Sequence, residues 1–331
     1  MNTVGRAGTY ALGLALVFGA SLGIGHAVGP VGGNPAAARS AHGPAGSTGP
    51  TGAGDAVPDG LQIAEHGYTL VPPPGALPAG RKTDFRFRIT GPDGRPVTRY
   101  TRSHGKDLHF IVARRDLSGF QHVHPALSAD GTWSLPLTFG SAGTYRVFAD
   151  FVPAGGSGLT LGADVSVAGD YRPTALPAPS RTAHADGYTV TLSGSATAGA
   201  SSVLTMSVAR NGRPITGLQP YLGAYGHLVA LRAGDLACLH VHPQGAPGDG
   251  TTRSGPGITF HAEFPSAGAY RLYLDFRHRG KVHTAEFTVI AGAPHTGSGS
   301  GAGMADHGGH DHRAVPPVHR SGAHEAGAAG A

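Results

Sequence analysis

Between residues 60 and 291 apolar and polar positions alternate in short runs, broken by turns that carry glycine or proline. GYTLVP opens the region, RKTDFRFRIT alternates charged with apolar residues, and GPDGRPVT supplies a turn. LHFIVAR and FQHVH follow, then GTWSLPLTF, SAGTYRVFADF and LTLGADVSVAG. Period-two alternation with no 3.6-residue pattern predicts seven or eight short strands over residues 60–169. That rhythm points to an antiparallel β-sandwich of immunoglobulin-like type, with a closed barrel as the competing architecture.

The pattern then repeats over residues 181–291. GYTV at 187 matches GYTL at 67, NGRPIT at 211 matches DGRPVT at 93, and FPSAGAYRLYLDF at 264 matches FGSAGTYRVFADF at 139. The offset is 118 residues through the middle of the repeat and 125 near its end, so about seven residues are inserted in GAPGDGTTRSGPG. Ala-Gly-x-Tyr before a strand has the form of a tyrosine corner, in which the phenol caps a backbone turn. The predicted fold is all-β, two tandem immunoglobulin-like antiparallel β-sandwich domains at 60–169 and 181–291 joined by a linker at 170–180.

The ends read differently. Residues 10–28, YALGLALVFGASLGIGHAV, are uncharged and apolar after Arg6, so 1–29 reads as an N-terminal hydrophobic helix, either a transmembrane anchor or a signal segment. Residues 30–59 form a Gly/Pro/Ala linker and 292–331 a histidine-rich tail, and both are predicted to be disordered. The folded part is therefore expected outside the cytoplasm, membrane-anchored or secreted.

The strongest chemical signal is a duplicated histidine triplet. DLHFIVARRDLSGFQHVHP carries His109, His122 and His124, and YGHLVALRAGDLACLHVHP carries His227, His240 and His242 at the same spacing. A hairpin centred between Asp116 and Leu117 sets His109 opposite His124, and His122 shares that face because side chains alternate. Cross-strand Cβ atoms lie ~5 Å apart, close enough for three imidazoles to share one ion. The same construction centred between Gly234 and Asp235 would gather the second triplet. One divalent ion per module is expected, on condition that no bulge shifts the register. The bland alternative is histidines packed and hydrogen-bonded as ordinary strand residues.

Composition narrows the classes further. The net charge of +5 is modest and unclustered, which argues against nucleic acid as a partner. The lone cysteine, Cys238, excludes intramolecular disulfides and reads as an apolar core position more than as a ligand, its counterpart being Phe120. Asp150 and Asp275, at matching positions, are second-tier ligands or strand-end caps. Imidazole suits copper, zinc and nickel alike; the affinity order places Cu2+ first, with Zn2+ next. No nucleophile with a base, no phosphate-cradling loop and no glutamate near the histidines is present, so the chain does not read as an enzyme.

At DLHFIVARRDLSGFQHVHP and SAGTYRVFADF the chain resembles bacterial extracytoplasmic β-sandwich proteins with YtkA-like and FixH-like domains, and more distantly CopC-like copper-resistance proteins. The resemblance covers residues 60–291. It implies an immunoglobulin-like fold and metal handling, mostly of copper, in buffering, delivery or resistance, with a membrane metal transporter as a candidate partner. It implies no reaction. CopC-like sites use an amino-terminal histidine, whereas these histidines lie on internal hairpins. A non-catalytic cell-surface structural or interaction module is the alternative function.

Overall fold

A computed structural model describes residues 57–293 except His240. The apolar run at 10–28, the linker and the tail lie outside the described residues, as do the readings that concern them. Among the described residues no helix is long and apolar enough to cross a membrane.

The fold is all-β, with two immunoglobulin-like sandwiches. In the first, one sheet is ordered Ala64–Glu65, Tyr68–Val71, Lys82–Thr90, Thr132–Thr138, Ala126–Leu127. The facing sheet is ordered Leu77–Pro78, Leu159–Ala168, Gly143–Pro153, Leu108–Arg114, Gln121–Val123. Pairing between these strands is antiparallel apart from the short Leu77–Pro78 edge, which runs parallel to Leu159–Ala168, and Ala79 just beyond it forms a parallel bridge to Phe139. Phe85, Phe87 and Ile89 point inward from one sheet and Leu108, Phe110 and Val112 from the other, around Trp133. Period-two alternation builds this core directly.

The second sandwich repeats the plan. Thr182–Ala185, Tyr188–Ser193, Ser201–Arg210, Gly257–Glu263 and Val241–Pro243 face Cys238–Leu239, Gly226–Arg232, Gly268–His278 and Lys281–Ala291. Tyrosine corners occur in both: Tyr145 Oη donates to the Ser141 carbonyl at 2.9 Å and Tyr270 Oη to that of Ser266 at 2.8 Å. The phenol satisfies a carbonyl that the turn leaves unpaired.

Leu108–Arg114 is buried at every position, on both faces. A strand at the outside of a sandwich should be wet on alternate residues; here the outer face is covered by the second module. Ile111, Ala113, Leu117 and Phe148 form one apolar cluster with Val229, Leu231, Leu236 and Tyr273. Phe120 stacks on Tyr273 with centroids 3.8 Å apart and planes at 5°. Tyr273 Oη donates to the Leu117 carbonyl at 2.6 Å, and Arg115 donates to the Asp235 carbonyl at 3.3 Å. The two modules thus meet through the outer faces of their histidine-bearing sheets, which sets where the histidines can converge.

Candidate metal centre

The first hairpin pairs Phe110 with Val123, Ile111 with His122 and Val112 with Gln121. Carried one step further, that register sets His109 opposite His124, the pairing expected from the spacing. Arg114, bonded to Asp116, and a left-handed Leu117 (φ 65°) form the turn. His109 shares the outer face of its strand with Ile111, so it points at the second module and is buried there, 2% exposed.

Hydrogen-bond partners fix the ring protons. His109 Nε2 lies 3.1 Å from the Ser103 carbonyl, which can only accept, so that nitrogen carries the proton and Nδ1 of the neutral ring is bare. His122 Nδ1 lies 2.9 Å from Asp275 Oδ2 of the second module, so that nitrogen carries a proton, and in the neutral ring His122 Nε2 is bare. These two bare nitrogens face one another at 3.2 Å, and His124 Nε2 lies 3.2 Å from the same His109 Nδ1. The ligand atoms of His109, His122 and His124 all fall within 4.8 Å of one another. Two nitrogens on a tetrahedral ion at ~2.0–2.1 Å would stand ~3.3 Å apart. The donor set therefore fits a metal ion.

The surroundings keep the His109 and His124 rings neutral. Burial first, then His122, lowers the His109 pKa to about 4. Burial, then His122 and His109, lowers that of His124 to about 3. Neutral imidazole is the form that ligates.

The second triplet is not gathered in the same way. Its hairpin starts in the expected register, with Ala230 opposite Leu239 and Leu231 opposite Cys238. Val241–Pro243 then leaves that sheet and pairs with Gly257–Glu263, placing His242, exposed, opposite His261. Among the described residues the ladder from this arm to Gly226–Arg232 comprises Leu239 and Cys238 and does not reach Val241–Pro243. His240 lies outside the described residues. His227 turns instead towards the first triplet, with ring centroids 4.8 Å from His122 and 5.3 Å from His109. Among the described residues the histidines gathered as candidate ligands are His109, His122 and His124, with the His227 ring beside them.

The second-tier residues divide. Asp275 accepts from His122 with one oxygen and from Thr284 Oγ1, at 2.6 Å, with the other, so it orients the His122 ring from behind. Asp150, cross-strand from His109, accepts from Thr160 at 3.3 Å. Neither belongs to the ligand group. Cys238 packs into the apolar cluster between the modules, and burial, then Asp150 and Asp59, push its thiol pKa well up.

Sequence reasoning missed His104. The turn holding it is closed by Ser103 and Lys106, with left-handed His104 (φ 50°), and sets its ring 5.9 Å from His109 and 5.7 Å from His227. The second copy has Leu222 there, also left-handed, so the two copies differ in chemistry at one backbone conformation.

The sequence matches one family model twice, over residues 63–169 and 183–293, described as a domain of unknown function, DUF8832. The chain belongs to that family. The match records the duplication and names no metal. No curated protein matches the sequence. Among solved structures, adhesin InvE of Yersinia pseudotuberculosis is 15% identical, with 67% of this chain and 58% of that one covered and a TM-score of 0.22. A protein of Corynebacterium diphtheriae described as membrane anchored is 14% identical, with 70% and 57% covered and the same TM-score of 0.22. The chain thus spans less than two thirds of either. The fold and site described above rest on the chain's own strands and side chains.

Proposed function

We propose that this chain is an extracytoplasmic metal-binding protein that holds one divalent ion, Cu2+ ahead of Zn2+, on His109, His122 and His124. The supporting observation is the pair of bare nitrogens, His109 Nδ1 and His122 Nε2, held 3.2 Å apart by a carbonyl and a carboxylate behind them. Pre-set rings of this kind lower the ordering cost of binding. Imidazole ligands and the affinity order favour copper, and the apolar run at residues 10–28 favours an exported location. Buffering or delivery of the ion, with a membrane metal transporter as partner, is the role this reading assigns. It gives the site no catalytic part.

One observation favours a second reading. A second proton on His122, ion-paired to Asp275 at 2.9 Å, would also relieve the facing lone pairs. The cluster would then be a hydrogen-bonded brace in a structural or interaction module. Equilibrium dialysis against Cu2+ and Zn2+, comparing the full chain with a His122→Ala/His124→Ala double variant, separates the two. Loss of one tight equivalent in the variant is expected. Equal tight stoichiometry in both proteins would overturn the metal reading.

A further inference from the structure

The structure holds a histidine that its own module leaves unused. His227 is the duplicate of His109 in the second copy, and its Nδ1 is a buried side-chain nitrogen with no hydrogen-bond partner. Such an atom loses its water on folding and gains nothing in return, a net cost unless something else engages it. Nothing from the second module does so. Its ring lies parallel to that of His109, with planes at 11° and centroids 5.3 Å apart, and 4.8 Å from that of His122. Burial, then the neighbouring His122, His109, His104 and His124, hold its pKa well below the ordinary histidine range.

We infer that His227 is the fourth ligand, and that the bound ion is shared between the modules. This rests on the metal reading above. Three nitrogens would come from the first module and one from the second, which also supplies Asp275 to orient His122. His227 is not among the atoms gathered within 4.8 Å, so ligation requires its ring to move towards them. A four-nitrogen site has no open position for water or substrate, which suits retention of an ion and not hydrolysis. It also makes occupancy depend on the contact between modules: the ion clasps the faces already joined by Phe120 and Tyr273. His104 is the rival fourth ligand, but it is exposed and its Nδ1 sits 3.3 Å from Ser103 Oγ.

The test uses the full chain with half an equivalent of Cu2+, so that the tightest site fills first, read by the nitrogen hyperfine pattern in electron paramagnetic resonance. Four coupled nitrogens are expected in the unaltered protein and three in His227→Gln, whose affinity should fall ~10–100-fold. His104→Gln should keep four. Three nitrogens in the unaltered protein, or a pattern and affinity unchanged in His227→Gln, would overturn the inference while leaving the three-histidine site standing. Loss of a nitrogen in His104→Gln but not in His227→Gln would overturn it as well. Cu2+ that ignores His122→Ala/His124→Ala would show instead that the underlying metal reading fails. The nitrogen count on the unaltered chain does not depend on how well any variant folds.

Discussion

His122 Nδ1 and Asp275 Oδ2 lie 2.9 Å apart although 153 residues separate them, and each belongs to a different copy of the repeat. Both side chains are almost fully buried, at 1% and 4% exposure. A carboxylate behind a ligating histidine fixes its tautomer and raises its basicity. Asp275→Asn keeps the shape and removes the charge, so affinity for Cu2+ should fall ~10–100-fold. Asp150→Asn, one strand from His109 but outside the ligand set, should change it little. Competition against a coloured chelator reads both, and equal effects would mean that Asp275 does not act through His122.

The contact between the modules should carry measurable stability. Tyr273 Oη caps the Leu117 carbonyl at 2.6 Å inside an otherwise apolar cluster. Tyr273→Phe would leave that carbonyl buried and unpaired, at a cost of ~1–3 kcal/mol. Tyr273→Ala would also remove the ring stacked on Phe120, for ~3–5 kcal/mol. Urea titrations with unchanged midpoints would show that the faces do not depend on each other.

Much of this was legible in the residues. Turn motifs at 93 and 211, the tyrosine corners and the alternating runs led to two sandwiches, and the histidine spacing led to the register of the first hairpin. What could not be read was the meeting of the modules. LHFIVAR is apolar on both faces, and that was the available sign that its outer face is covered. No local pattern tells which second surface covers it, because the contact joins residues more than a hundred positions apart. The departure of Val241–Pro243 to the opposite sheet was hidden for a similar reason. HVHP occurs in both copies, but its pairing partner is set by the strand beyond the seven-residue insertion. His104 carried no spacing to mark it.

Gly60 sits where the chain enters the first module, with φ at +72°. A Cβ there would stand 2.5 Å from Phe148 Cδ1 and 3.2 Å from Cys238 Cβ, at the edge of the shared cluster. Its carbonyl also accepts from Arg146 Nε at 2.8 Å, which pins the segment in place. Gly60→Ala therefore combines a left-handed backbone with overpacking and should destabilise by ~2–4 kcal/mol. Thermal unfolding within one degree of the unaltered protein would sink this.

The metal-free protein should also lose stability as pH falls, for a reason that can be signed. An unfolded histidine titrates near ~6.5, whereas His109 in the fold titrates near about 4, chiefly because it is buried. Above ~6.5 the ring is neutral in both states and contributes no pH dependence. Between ~6.5 and about 4 the unfolded chain takes up a proton that the folded chain refuses, so stability drops by ~1.4 kcal/mol per pH unit for this group. His124, lowered to about 3 but partly exposed, adds a smaller share in the same direction. Below about 4 the His109 contribution levels off. Denaturant midpoints measured from pH 7.5 to 4.5 should therefore fall in the metal-free protein, and His109→Gln/His124→Gln should flatten the slope. Bound Cu2+ should steepen it, because protons then compete with the ion for the same nitrogens. A metal-free midpoint that stays level over that range would mean that these rings are not held neutral by the fold.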